Sequence, residues 1–150
     1  MRHIFQKLDQ NERGLSDMRL GKDRRKNRSE MPMKAVKMQL EDIAREGGFK
    51  AALLTTEDGF AVANIESELD SSSLAALAGF VWTMNMNVLD LTGFEGLDQI
   101  IMTGPSGDSV ICQSFEVMDQ PVVLIVIASV ESPYRELTDR AVEGIKRILV

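Results

Sequence analysis

Between Met33 and Ala44 the apolar positions Met33, Val36, Leu40, Ile43 and Ala44 recur at helical spacing, with Lys37–Glu41 and Glu41–Arg45 pairs on the other side. Residues three and four apart share a helix face, so this stretch predicts an amphipathic helix, which Gly47-Gly48 ends. Two apolar runs follow, Phe49–Thr55 and Phe60–Ile65, flanking Glu57-Asp58-Gly59. Asp-Gly between such runs is a strong hairpin signal. Leu97–Thr103 and Ser109–Val117 predict a second hairpin, with Gly104, Pro105 and Gly107 in its turn. Val122–Ser129 (VVLIVIAS) does not alternate, so it predicts a strand covered on both faces, with Pro121 at its first residue. Ser132-Pro133 opens a last helix, serine as cap, in which Tyr134, Leu137, Ala141, Ile145 and Ile148 form one stripe.

The segment LAALAGFVWTMNMNVLDL, Leu74 to Leu91, breaks this regularity because it is apolar almost all the way round. Leu74, Leu77, Ala78, Val81, Met84 and Val88 make one stripe; Trp82, Met86 and Leu89 make a second, and Thr83, Asn87 and Asp90 a narrow polar edge. A helix on the surface of a monomer needs a wider wet face. This one is expected to pack on its own core on one side and on another protein on the other. Asp70 and the three serines after it supply the cap, and Gly93 and Gly96 the end.

The order is helix, two strands, helix, three strands, helix. That is an α+β domain, α-β-β-α-β-β-β-α, whose five-stranded, mostly antiparallel sheet carries helices on both faces. It occupies residues 33–150. Residues 1–32 read as a flexible basic arm with a short helix suggested at Ile4, Phe5 and Leu8, interrupted by Gly14 and Gly21. Pro32 marks the boundary.

Charge divides along the same line. The arm holds nine Lys/Arg against five Asp/Glu, and the rest eight against eighteen, so +4 and −10 sum to the net −6. An acidic body argues against nucleic acid as the main ligand. The longest unbroken apolar run, Val122–Ala128, is too short for a bilayer. With no export signal and a single cysteine, Cys112, a cytoplasmic location is expected and Cys112 reads as a small buried hydrophobe.

Catalytic chemistry finds little to work with. The single histidine, His3, lies in the arm, so no His-based triad or histidine metal cluster is available. Glu66, Glu68 and Asp70 read as a solvated loop and a cap. Thr103–Asp108 (TGPSGD) lacks the Lys-Ser/Thr of a phosphate loop and reads as a turn. No catalytic residue, cofactor or metal is expected.

Four blocks in order, Leu40–Gly48 (LEDIAREGG), Ala51–Ala63 (AALLTTEDGFAVA), Asp70–Gly79 (DSSSLAALAG) and Val117–Ile127 (VMDQPVVLIVI), resemble the Roadblock/dynein light chain family, and within it the prokaryotic MglB-like members. The resemblance covers roughly residues 33–150. It implies a profilin-like fold and a dimer, in which edge strands pair across the axis and the second helices lie side by side. It implies a partner as well, a small Ras-like GTPase, for which such proteins are non-enzymatic scaffolds or activators of hydrolysis that donate no catalytic arginine.

On that basis Trp82, Met86, Leu89, Gln99, Ile101 and Met102 are the candidate dimer interface, and Phe80, Thr83 and Asn87 the candidate partner contacts. The expected function is a homodimeric regulator or scaffold of a Ras-like GTPase, in processes such as cell polarity. Two alternatives stand beside it: an adaptor recruited to a surface through its basic arm, and a PAS- or GAF-like ligand sensor. Membrane association through the arm ranks below a solvated tail.

Overall fold

A computed structural model of the chain describes residues 22–65 and 67–150. Its elements are α1 (Lys22–Gly47), β1 (Ala51–Thr56), β2 (Ala61–Asn64), α2 (Ser71–Ala75), α3 (Leu77–Thr92), β3 (Ile100–Thr103), β4 (Asp108–Val117), β5 (Gln120–Ser129) and α4 (Tyr134–Ile148). The five strands form one sheet in the order β2-β1-β5-β4-β3, every neighbouring pair antiparallel. This is the α+β architecture that the hydrophobic pattern predicts.

β5 is the centre of the sheet. Its register pairs Ile125 with Leu53 on β1 and with Cys112 on β4. Val122, Leu124, Val126 and Ala128 project to one face, into a core shared with Val36, Leu40 and Ile43 of α1 and Leu137, Ala141 and Ile145 of α4. Val123 and Ile125 project to the other, beneath Ala75, Ala78 and Val81 of α2 and α3. Both faces are dry, which is why the strand shows no polar alternation. The thicker layer, α1 with α4, is further tied by the Arg140–Glu46 ion pair.

Several boundaries differ from the pattern. α1 begins at Lys22, not Met33, and Pro32 lies inside it. Proline removes one backbone donor, and the Lys/Arg-rich segment before it has adequate helix propensity to continue. Residues 1–21, with the helix suggested at Ile4, Phe5 and Leu8, lie outside the described residues, as does Glu66. The apolar helix is two pieces, α2 and α3, parted at Ala76. Ser132 does not cap α4: Pro133 stands at the cap, and the Ser132 hydroxyl donates to the Gly47 carbonyl at 2.8 Å, closing the end of α1. β5 starts at Gln120, so Pro121 is its second residue, opposite Glu116.

Other local signals are realised as read. Asp70 accepts from the Ser72 N–H at 3.0 Å and the Ser73 hydroxyl at 2.9 Å, as an N-cap should. Gly48 and Gly93 end α1 and α3 in the left-handed region, at φ 64° and 73°. The β4–β5 turn needs the same region at Met118 and Asp119, φ 53° and 61°, where no glycine stands.

Candidate interaction surface

α3 lies on the sheet face opposite α1 and α4, and only Ala78 and Val81 of its sixteen residues are buried. The first predicted stripe does face the sheet: Leu74 and Leu77 pack with Val123 and Ile125, while Met84 and Val88 stay half-buried. Of the second stripe, Met86 is exposed and Trp82 and Leu89 are half-buried. Phe80, Thr83, Asn87 and Asp90 are exposed, and Asp90 is the single charge from Ser71 to Thr92. The helix therefore presents an apolar surface almost free of charge to the outside.

That surface extends past the helix. Leu91 is 85% exposed, and Phe80, Met86 and Phe94 are each more than half exposed. Thr92 positions Phe94: its hydroxyl donates to the Val88 carbonyl at 2.6 Å and accepts from the Phe94 N–H at 3.2 Å. Leu91 and Phe94 are absent from the candidate residues that the sequence suggests. The signal for them was an apolar pair bracketing the Gly93 end of an already apolar helix.

β3 is the last strand in the sheet order and pairs with β4 through Ile100↔Cys112, Ile101↔Ile111, Met102↔Val110 and Thr103↔Ser109. Among the described residues its other backbone edge pairs with no strand, and the strand has no proline or lysine to blunt it. The strand's two faces divide the predicted residues. Ile100 and Met102 pack beneath α2 and α3, and Ile101 is exposed on the reverse face, in line with Ile111. Gln99 falls before the strand, which is shorter than predicted. Its amide donates to Gln113 Oε1 at 3.1 Å and to Thr138 Oγ1 at 2.8 Å, binding the start of β3 to α4. Trp82, Met86, Leu89 and Met102 thus share the α3 side of the sheet, and Gln99 and Ile101 belong to the other.

By length and composition Ser71–Thr92 could cross a bilayer, with a mean hydropathy of 1.3, a property that counting unbroken apolar runs overlooks. Here the segment is parted at Ala76 and seats Ala75, Ala78 and Val81 on the sheet. Two open grooves, of about 380 and 420 Å³, meet at Ile65 on the α1 side, lined by Lys37, Glu41 and Ala44 and by Phe49, Lys50 and Leu69. Among the described residues no three His, Cys, Asp or Glu side chains gather where they could hold a metal ion. Cys112 is buried under α3, and burial pushes its thiol up to about 12.

This combination, a five-stranded antiparallel sheet with two helices on one face and an apolar helix on the other, is the fold of Roadblock/LC7 domains. A Roadblock/LC7 domain from Streptomyces avermitilis superposes with a TM-score of 0.61 at 14% identity, over 75% of this chain and 92% of that one. Within the class, the gliding protein MglB of Thermus thermophilus matches with a TM-score of 0.65 at 21% identity, over 79% of this chain and 90% of its own. An MglB structure with a tetrameric arrangement gives 0.67 at 21%, with the same coverage. No protein-family model matches the chain, and no curated protein matches it in sequence.

Proposed function

We propose that the protein is a dimeric, non-enzymatic regulator of a small Ras-like GTPase. The observation that carries this reading is the outer face of α3: an apolar surface with Phe80, Met86, Leu91 and Phe94 exposed, beside the edge strand β3. Large exposed apolar patches mark protein interaction sites. The likeness to MglB and the sequence blocks quoted above supply the kind of partner.

In this reading Trp82, Met86 and Leu89 meet their counterparts in a second copy while the β3 edges pair, so one sheet runs through both subunits. Phe80, Thr83 and Asn87 then flank the paired helices as a platform for the switch loops of the GTPase. No residue of this chain enters the hydrolysis chemistry. The platform acts by binding one conformation of those loops more tightly, and it shifts the GTPase only by that difference in affinity. The self-association has a counterpart in the tetrameric MglB arrangement.

Affinity capture on the immobilised protein from native lysate, in parallel with GDP and with a non-hydrolysable GTP analogue, tests it. A Ras-like GTPase retained preferentially in one nucleotide condition is expected. Retention of no GTPase in either condition overturns the reading in favour of an adaptor.

A further inference from the structure

From Ala51 to Tyr134 the chain has no Lys, Arg or His, a run that spans all five strands, α2 and α3 and holds twelve carboxylates. After Pro32 every cation is on α1, on α4 or at Lys50. α1 and α4 cover the opposite face of the sheet, and Lys50 is paired with Asp108. The residues of the α3 face therefore supply no positive charge, and negative charge frames it. Asp90 is on α3, Glu95 and Asp98 lie between α3 and β3, and Asp58 is in the hairpin tip that rests on Ala75. All four are exposed, and among the described residues none is in an ion pair. Asp90 stands in the last turn of α3, which has no basic residue. The helix dipole disfavours a carboxylate there, so Asp90 does not serve the helix. On the same helix and its exit, Phe80, Met86, Leu91 and Phe94 are the exposed apolar side chains.

We propose that the apolar face of α3 docks a basic protein surface, one whose apolar centre is ringed by Lys and Arg. This rests on the regulator reading above and gives the chemistry of the GTPase surface that α3 meets. Charge complementarity selects the occupant. Nucleic acid and anionic lipid share the sign of the rim and are repelled by it. A second copy alone brings an identical rim, so pairing two copies adds repulsion and leaves the carboxylates without partners. An uncharged apolar surface would cover the rim and strip it of water with nothing in return. A cationic surface answers both the apolar centre and the unpaired carboxylates. In the dimer of the reading above the rims of two copies adjoin, and a basic partner relieves both.

Titration of the full-length protein with the GTPase retained in the capture above, purified, tests the proposal. Affinity is expected to fall as salt rises, because salt screens charges at an interface rim. The variant D90N/E95Q/D98N should bind about tenfold more weakly, at about twofold for each exposed charge pair lost. The reversed variant D90K/E95K/D98K should bind more weakly still. The control E41Q/D42N/E143Q removes three carboxylates from α1 and α4 and should bind as the parent does, which separates this face from net charge. D90N relieves the end of α3, so the neutralised variant should keep or raise the denaturation midpoint, and its lost binding is not lost fold. Retention of no GTPase by the parent overturns the regulator reading and this inference together. A retained GTPase whose affinity neither salt nor the two α3 variants change overturns this inference alone. If the neutralised variant then also self-associates more tightly in sedimentation velocity, the face belongs to a second copy.

Discussion

Gly59 lies so close to Ala75 that a Cβ on it would stand 2.9 Å from the Ala75 carbonyl oxygen. The β1–β2 turn thereby rests on the backbone where α2 gives way to α3. Its φ of 89° also lies outside the range that side chains accept readily. Gly59→Ala combines both penalties and should cost about 2–4 kcal/mol of stability. Urea denaturation measures it; a cost below about 0.5 kcal/mol would mean that the turn can retreat from the helix.

Self-association through α3 and β3 makes Met86→Glu and Ile101→Glu the sharpest probes, since both side chains are exposed in the single chain. Neither change should unfold the protomer, yet a charge buried in a dimer contact costs several kcal/mol. Sedimentation velocity at micromolar concentration should show a dimer for the parent and monomers for at least one variant. Two dimeric variants would place the contact elsewhere.

Gln99 offers the contrasting case. Its bonds to Thr138 and Gln113 tie β3 to α4, so Gln99→Ala should lower stability by about 1–2 kcal/mol and leave the sedimentation of the protein unchanged.

The β4–β5 turn holds two non-glycine residues at positive φ, and relieving one should stabilise the protein. Asp119→Gly is expected to add about 0.5–1 kcal/mol, seen as a higher denaturation midpoint at unchanged slope.

Cys112 sets a pH dependence. Its thiol titrates near 9.0 when unfolded and at about 12 when folded. Above pH 9 the unfolded chain therefore binds fewer protons than the folded one, and stability falls as pH rises, by about 1.4 kcal/mol per pH unit between these values. Cys112→Ala should flatten that slope in denaturation curves recorded from pH 8 to 11.

How much of this was legible depends on what each residue answers to. Asp70, Gly48, Gly93 and the Glu57-Asp58-Gly59 turn are governed by neighbours in the chain, and their roles could be read directly. VVLIVIAS displayed its two-sided burial through missing alternation. Ser132 could not be read, because its hydroxyl turns to Gly47, distant in sequence and adjacent only after folding. The break at Ala76 was hidden for the same reason: nothing in LAALAG signals that the tip of a hairpin rests there. At the candidate surface, the exposure of Phe80, Met86 and the Thr83–Asn87 edge followed from helical spacing. The division of β3, with Met102 under α3 and Gln99 and Ile101 on the reverse face, needed the register with β4.

The position of β1 between β2 and β5 has a consequence for how the chain acquires its fold. β3, β4 and β5 form a meander that can zip up from contacts close in sequence. Leu53 and Leu54, however, find Ile125 and Leu124 only after nearly the whole chain has been made. During synthesis the β1–β2 hairpin must wait with an unpaired apolar edge, and closing it against the finished meander is the long-range, slow event of folding. The last strand to emerge is thus the one that joins the two halves, and a chain truncated before Val122 would leave both with nothing to pair.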